Sequence, residues 1–399
     1  MIKGKDIIVH GLQSLDSPIG SNCVNLAYEF AKNNRVLYVN YPLDRLTSIR
    51  HRSDDLVKKR LNIIKGKENG LVRINDSMWN LFPDVILESI NQITYRPLFT
   101  FLNNLNNKKY AKSVAQTIRK LEFKDYIIFN DSDFTRALNF KDILKPKVSV
   151  YYTRDNMRAT DYFRKHGARF EDALMQKSDL VVANSVYLQK IAKKVNPHSY
   201  YVGQGCDLTL FNPNTVKEIP SELNDIKVPI IGYIGALKSS RLDIKTITYI
   251  AKAKPDWSIV LIGPEDEQFK HSDLHHLKNV HFMGPKPIDQ LPNYLLSFDV
   301  AFNPQAVNPL TIGNYPRKID EYLAMGKAVI ATKTETMEVF KDYCYLASGN
   351  EEYVQLIEKA IVENSKEKAE ARINFAKSHS WENNVNEIYK SILKVAPNI

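Results

Sequence analysis

Residues 308–332 read NPLTIGNYPRKIDEYLAMGKAVIAT. Pro316 suits the first position of a helix, where its missing N–H costs nothing. Gly326 closes that helix, and Ala328–Ala331 follows as a short buried strand. At 100° per residue Ile319 and Leu323 share a stripe that faces a core. Lys318, Glu321 and Met325 share another stripe on the far side. Arg317 and Lys318 stand in the first turn, where the helix macrodipole opposes a cation by ~0.3–1 kcal/mol. They are either ordinary surface charges or the mark of an anion held at that helix start.

Working outward, short apolar runs alternate with helical stretches in both directions. Before this segment come Ile230–Ile234, Ser258–Ile262, Val280–Met283 and Val300–Asn303, with a helix near Asp243–Lys252. Earlier still, Ile7–His10, a helix near residues 21–32 and Val36–Val39 form a βαβ unit, which implies a parallel sheet. Tyr126–Phe129, Val148–Tyr152, Leu180–Ala183 and Tyr200–Val202 extend it, with Ser185 placed to cap a helix. The turn-rich GQGCDLTLFNP marks a boundary near residue 205. The pattern predicts an α/β protein of two Rossmann-like domains, residues 1–205 and 206–380. An amphipathic helix over 381–399 follows, placed to pack back on the first domain.

Two stretches of the first half are less regular. Residues 45–73, including HRSDDLVKKR, are basic and polar and read as loops or a surface helix. Residues 78–105 are unusually apolar and read as helices buried on the sheet, or as an interfacial surface beside the basic stretch. The spacing of Gly11 and Gly20 does not fit the GxGxxG fingerprint, which argues against a nicotinamide-dependent dehydrogenase.

The chain has 399 residues, 44% hydrophobic and 25% charged, with a net charge of +10. That is long enough for two ordinary domains. No run of eighteen apolar residues exists to span a bilayer, and MIKGKDIIVHGLQ has too short an apolar core for a signal peptide. Cys23, Cys206 and Cys344 are scattered and odd in number, which fits a reducing cytoplasm. No CxxC, HExxH or His-rich cluster marks a metal site. The charge is uneven: residues 1–205 carry +13 and residues 206–399 carry −3. The basic half implies an anionic surface or substrate. Nucleic-acid signatures are missing, so no nucleic-acid partner is expected, and the inner membrane surface is the better match.

Ligands of open α/β sheets bind beyond the carboxyl ends of the strands. In the second half those ends bring Gly235, Lys238 and Arg241 beside the helix start with Arg317 and Lys318. Four cations there suit a diphosphate. Glu321, one turn on, suits sugar hydroxyls. In the first half Asp155, in YYTRDNM, lies just past the carboxyl end of a strand, where a carboxylate can take a proton as a general base. It is alternatively the partner of Arg154 or Arg158, or a helix cap. His10 is the other candidate base. Asp131-Ser132-Asp133 matches a DxD metal motif but reads as loop residues.

The stretches IIGYIGAL, PDWSIVLIGP, NVHFMGPKPIDQLPNYLLSFDVAFNP, YPRKIDEYLAMGKAVIAT and SHSWENNV resemble the GT-B glycosyltransferases, in particular retaining family four and the glucuronosyltransferase of xanthan assembly. YYTRDNM, LVVANSVYL and YYVGQGCDLTLF carry a weaker likeness in the first half. The resemblance implies two Rossmann-like domains facing a cleft, with a nucleotide-sugar donor in the second and the acceptor in the first. Glu321 is then the ribose-binding acid, and Met283 and Gly284 lie beside the base, with UDP the expected carrier. Lys318, Arg317, Asn314, Tyr315 and Lys238 hold the donor, with Lys318 and Arg241 offsetting charge on the leaving diphosphate. Asp155 is the base by likeness to the xanthan enzyme. Family four usually has a second Glu where this chain has Gly313, so the resemblance leaves retaining and inverting outcomes both open. The resemblance implies neither metal nor other cofactor. It implies a lipid-linked or saccharide acceptor, bacterial surface polysaccharide synthesis, and a cytoplasmic enzyme peripheral to the membrane. A GT-B-type epimerase and a non-catalytic binding module are the alternatives.

Overall fold

A computed structural model describes the chain except for residues 17–20, 161, 162, 164 and 217. Gly20 and part of the loop after the first strand therefore lie outside the described residues. The chain divides into two compact units, residues 1–203 with 384–399, and residues 204–383.

The first unit contains strands Asp6–Gly11 (β1), Arg35–Val39 (β2), Leu43–Asp44 (β3), Leu71–Arg73 (β4), Met78–Leu81 (β5), Ile86–Leu87 (β6), Ile127–Asp131 (β7), Val148–Thr153 (β8), Leu180–Ala183 (β9) and Ser199–Tyr201 (β10). Eight of them form one sheet in the order β10-β9-β8-β7-β1-β2-β5-β4. All its neighbours are parallel except β4 with β5, which are antiparallel. The runs IIVH, IIFN and VSVYY are buried along their whole length because helices cover both faces, as a parallel sheet requires. Ser185 caps its helix through Leu188 N–H at 3.2 Å, as its position in the sequence predicts.

Residues 45–73 bear out the surface-helix alternative, and residues 78–105 depart from the sequence reading. Residues 45–73 make two short helices, Arg45–Arg50 and Asp55–Ile64, and an edge strand. Asp44 and Asp54 cap the two helices. Within residues 78–105, Met78–Leu81 is a strand of the main sheet rather than a helix. Pro83 and Pro97 delimit the irregular stretch, and the helix begins only at Arg96, running to Lys120. Pro97 occupies its first turn, where a missing N–H is harmless.

The second unit contains Ile230–Ile234 (β11), Ser258–Ile262 (β12), Val280–Gly284 (β13), Val300–Asn303 (β14), Ala328–Thr332 (β15) and Tyr345–Ala347 (β16). Their order, β13-β12-β11-β14-β15-β16, is that of a Rossmann sheet, 3-2-1-4-5-6. Side chains alternate between faces: Ile230 and Ile234 enter one core, Ile231 and Tyr233 the other. The helix of the opening stretch spans Lys318–Ala324, two residues later than Pro316 predicts, with Arg317 as its N-cap. Ile319 and Leu323 face the core as their stripe requires, but Met325 is also buried, because it lies in the closing turn rather than on the helix proper. Gly326 closes the turn with φ +71°.

Candidate donor site in the second unit

The strand order reverses between β11 and β14, so their carboxyl ends open the crevice where such sheets take ligands. Backbone bonds join the two loops there. Ala306 N–H donates to Arg241 O at 2.9 Å, and Asp243 N–H to Pro304 O at 2.9 Å. The side chain of Asn308 adds a bond to Ser240 O at 2.9 Å. Gly235 ends β11 with φ +144°, a conformation that favours glycine, and a Cβ on it would stand 2.6 Å from Lys318 Nζ. A Cβ on Gly263, at the end of β12, would stand 2.0 Å from Gly235 O. The two strand ends thus approach as closely as glycine allows.

Lys318 is the centre of the arrangement. Its ammonium hydrogen-bonds the Tyr233 hydroxyl and lies 3.9 Å from the centre of that ring. Burial pushes it down to about 7; Glu321 opposes the fall, while Arg241 and Arg317 add to it. Arg317 Nε pairs with Glu321 Oε1 at 3.0 Å. Burial raises Glu321, with Arg317 and Lys318 holding it down. The structure therefore brings Arg241, Arg317, Lys318 and Glu321 into one electrostatic group with more positive than negative charge. Lys238 is exposed on the same turn, its carbonyl accepting from Arg241 N–H at 2.8 Å.

Other residues singled out in the sequence take different places. Met283 and Gly284 end β13, and Gly284 O accepts from Gly263 N–H at 2.9 Å, two strands from β11. Asn314 is buried, its N–H bonded to Thr311 O at 2.9 Å. Tyr315 is a core residue rather than an open contact. Its hydroxyl donates to Asp320 Oδ1 at 3.2 Å, and its ring packs 5.2 Å from Phe340. Asp320 is fully buried and also binds His379 Nδ1 at 2.6 Å. That network, with Tyr233, has no counterpart in the sequence reading. The alternation along IIGYI was the one available signal, since it places Tyr233 at the ligand end of its strand.

In the first unit, Asp155 follows β8 and pairs with Arg154 Nη1 at 3.1 Å, the structural alternative open for it in the sequence. Arg154 Nε also binds Asp131 at 2.9 Å, and Arg158 is engaged by Glu171 and Asp172. Asp131 ends β7, and Asp133 pairs with Arg136 at 3.0 Å, so the two acids of the DxD match serve different arginines. Among the described residues no group of three or more His, Cys, Asp or Glu is arranged to hold a metal. His10 is fully buried with neither ring nitrogen partnered. Burial lowers it to about 4, which makes it neutral near pH 7.

Residues 228–363 match the family model for glycosyl transferases group 1. The match lies within the second unit. It includes β11 to β16 and hence Gly235, Arg241, Lys318 and Glu321. The putative teichuronic acid biosynthesis glycosyltransferase TuaH of Bacillus subtilis is 28% identical over 246 residues, 59% of this chain. The match spans 61% of that relative's length. Among solved structures, sucrose-phosphate synthase from Thermosynechococcus elongatus superposes with TM-score 0.70 at 14% identity, covering 99% of this chain and 100% of that one. Anabaena HepE in complex with UDP-glucose gives TM-score 0.62 at 16% identity, covering 98% and 99%. The fold is GT-B, and the resemblance carried by the sequence stretches above holds for that fold.

Proposed function

We propose that the chain is a glycosyltransferase that takes a sugar from a UDP-sugar and passes it to a lipid-linked or saccharide acceptor in bacterial surface polysaccharide synthesis. The observation that carries this is the group of exposed Arg241 and half-buried Arg317 and Lys318, with the acid Glu321 beside them, at the switch point of the second unit's sheet. Excess positive charge in a partly dry place is costly alone and favourable once a diphosphate arrives. HepE, of the same fold, was crystallised with UDP-glucose, and TuaH is named for teichuronic acid synthesis, which supports the donor and the pathway class.

In this reading Lys318 and Arg241 contact the diphosphate and stabilise the charge that grows on it as the glycosidic bond breaks. Glu321 accepts hydrogen bonds from the ribose hydroxyls, Arg317 holds it in place, and the base lies near Met283 and Gly284. The two cations supply what a metal ion supplies elsewhere, so transfer needs none. Asp155 takes the proton of the acceptor hydroxyl, and its pairing with Arg154 fixes its direction.

The same reading puts the first unit against an anionic membrane. Leu98, Phe101 and Leu105 are exposed on one face of the Arg96–Lys120 helix, with Arg96, Lys108 and Lys112 exposed nearby. No helix among the described residues is long and apolar enough to cross a membrane. Titration calorimetry with UDP tests the donor assignment: Lys318→Ala and Glu321→Ala should each weaken binding at least tenfold. Wild-type affinity in both variants would refute it. Flotation with vesicles rich in phosphatidylglycerol tests the membrane face, which Phe101→Asp should detach.

A further inference from the structure

Arg241 stands on a loop, residues 235–243, that belongs to no helix or strand and joins β11 to the helix Ile244–Ala253. The loop is held from both sides. Towards β14 it is tied by Ala306 N–H on Arg241 O and by the Asn308 side chain on Ser240 O, each at 2.9 Å. Towards β12, Leu237 N–H donates to Pro264 O at 2.8 Å and Asp266 N–H to Leu237 O at 2.9 Å, so parallel pairing continues past the strand ends. One side chain completes that seam. Asp266 Oδ2 accepts from Ser239 N–H at 2.7 Å and from Ser239 Oγ at 2.8 Å. Ser239 lies inside the turn that presents Arg241, since the N–H groups of Arg241 and Leu242 both donate to Lys238 O at 2.8 Å.

An acid on the loop adjoining a diphosphate site is unfavourable by charge alone, because it repels the ligand. Burial pushes the Asp266 carboxyl up, but the bonds from Phe269 and Ser239 outweigh it and hold the group below its ordinary range. It is therefore an anion at neutral pH, and the donors on it are backbone N–H groups and a hydroxyl rather than a cation. One of its oxygens has a local task. Oδ1 caps the four-residue helix Glu267–Lys270 through Phe269 N–H at 3.0 Å. The other oxygen is given wholly to Ser239.

We infer that Asp266 is a positioning residue for the donor: by fixing Ser239 it sets the turn Lys238–Arg241, and with it the direction from which Arg241 meets the diphosphate. This rests on the sugar-transfer reading, in which Arg241 contacts that group. A turn fixed before UDP arrives presents the arginine's backbone in one place, which lowers the ordering cost of binding. The three roles open to Asp266 differ in sign. Charge alone predicts that its loss tightens UDP binding, helix capping alone predicts no change, and positioning predicts a loss that depends on Arg241.

Calorimetry with UDP on the full chain tests it. Asp266→Ser keeps a hydroxyl able to cap Phe269 N–H but too short to reach Ser239. It should weaken UDP binding about tenfold, and in an Arg241→Ala background the same substitution should change affinity less than about twofold, because the group it positions is gone. Ser239→Ala removes one of the two bonds on Oδ2 and should weaken binding about threefold, again only while Arg241 is present. That milder variant carries the test should Asp266→Ser unfold. Unchanged or tighter binding in both variants, or an equal loss with and without Arg241, would overturn the inference while leaving the donor site in place. Wild-type affinity in Arg241→Ala itself would take Arg241 out of the donor site and the inference with it. Failure of UDP to bind the wild-type chain would instead overturn the sugar-transfer reading.

Discussion

Raising the pH from 7 to 9 should weaken UDP binding by about fifty-fold through Lys318 alone. In the free protein burial holds this ammonium down at about 7, against an ordinary value of 10.5. A diphosphate beside it favours the charged form, so binding draws a proton onto Lys318 whenever the free side chain is neutral. At pH 8 about one molecule in eleven carries that proton before UDP arrives, and roughly 0.9 proton should be taken up per UDP bound. The ceiling, if the bound lysine regains its ordinary value, is roughly 5 kcal/mol. The uridine diphosphate is already ionised there, since a second phosphate ionisation lies near pH 6. Calorimetry at pH 8 in Tris and in HEPES, which differ in ionisation heat, reads the uptake directly. Lys318→Arg keeps its charge and should abolish both the uptake and the pH slope. Tight UDP binding with the same heat in both buffers would refute this placing of Lys318. The free protein supplies a second check on the sign. Between about 7 and 10.5 the unfolded chain binds the extra proton, so stability rises with pH across that window and is lost as pH falls towards 7. Saturating UDP should flatten the rise.

Further variants probe the supports of the site. Gly235→Ala places a methyl 2.6 Å from Lys318 Nζ and should cut UDP affinity at least tenfold with the circular dichroism unchanged; undiminished affinity would separate Lys318 from the diphosphate. His379→Ala strips a buried carboxylate of its partner and should cost about 3 kcal/mol in urea unfolding, with His379→Gln recovering part of it. Asp155→Asn should leave UDP affinity intact and slow transfer by roughly a hundredfold with a competent acceptor, whereas unaltered turnover would remove it as the base.

Strands β1, β7, β8, β9, β11, β12 and β14 were legible because each is a short, mostly apolar run buried along its length, with a glycine or polar turn at its end. Strand β5 was not, for a physical reason. Its Asn80 interrupts the apolar run, and the oxygen of that amide accepts from Asn40, forty residues earlier, whose Nδ2 donates to it at 2.7 Å. A strand stabilised by a distant side chain looks polar in its own sequence. The apolar segment after it drew the eye towards a helix that forms only once Pro97 supplies a start.

The candidate site divides along the same line. Arg241, Arg317, Lys318 and Glu321 could be read in advance because glycine-ended strands and one short helix fix where such loops meet. The role of Tyr315 could not, because its hydroxyl serves Asp320, and the histidine that completes the set lies 59 residues beyond that acid. This difference has a consequence for Lys318. Its position depends on Tyr233 beneath it and on the missing side chain of Gly235 above it, while its helix is anchored from the core side by Asp320 and His379. A loss of UDP affinity in a Tyr233→Phe variant, which keeps the ring but removes the hydroxyl, would show that the hydrogen bond orients the ammonium. A loss confined to Tyr233→Leu would show that the ring alone does so, and equal affinity in both would leave the helix anchor as what holds Lys318 in place.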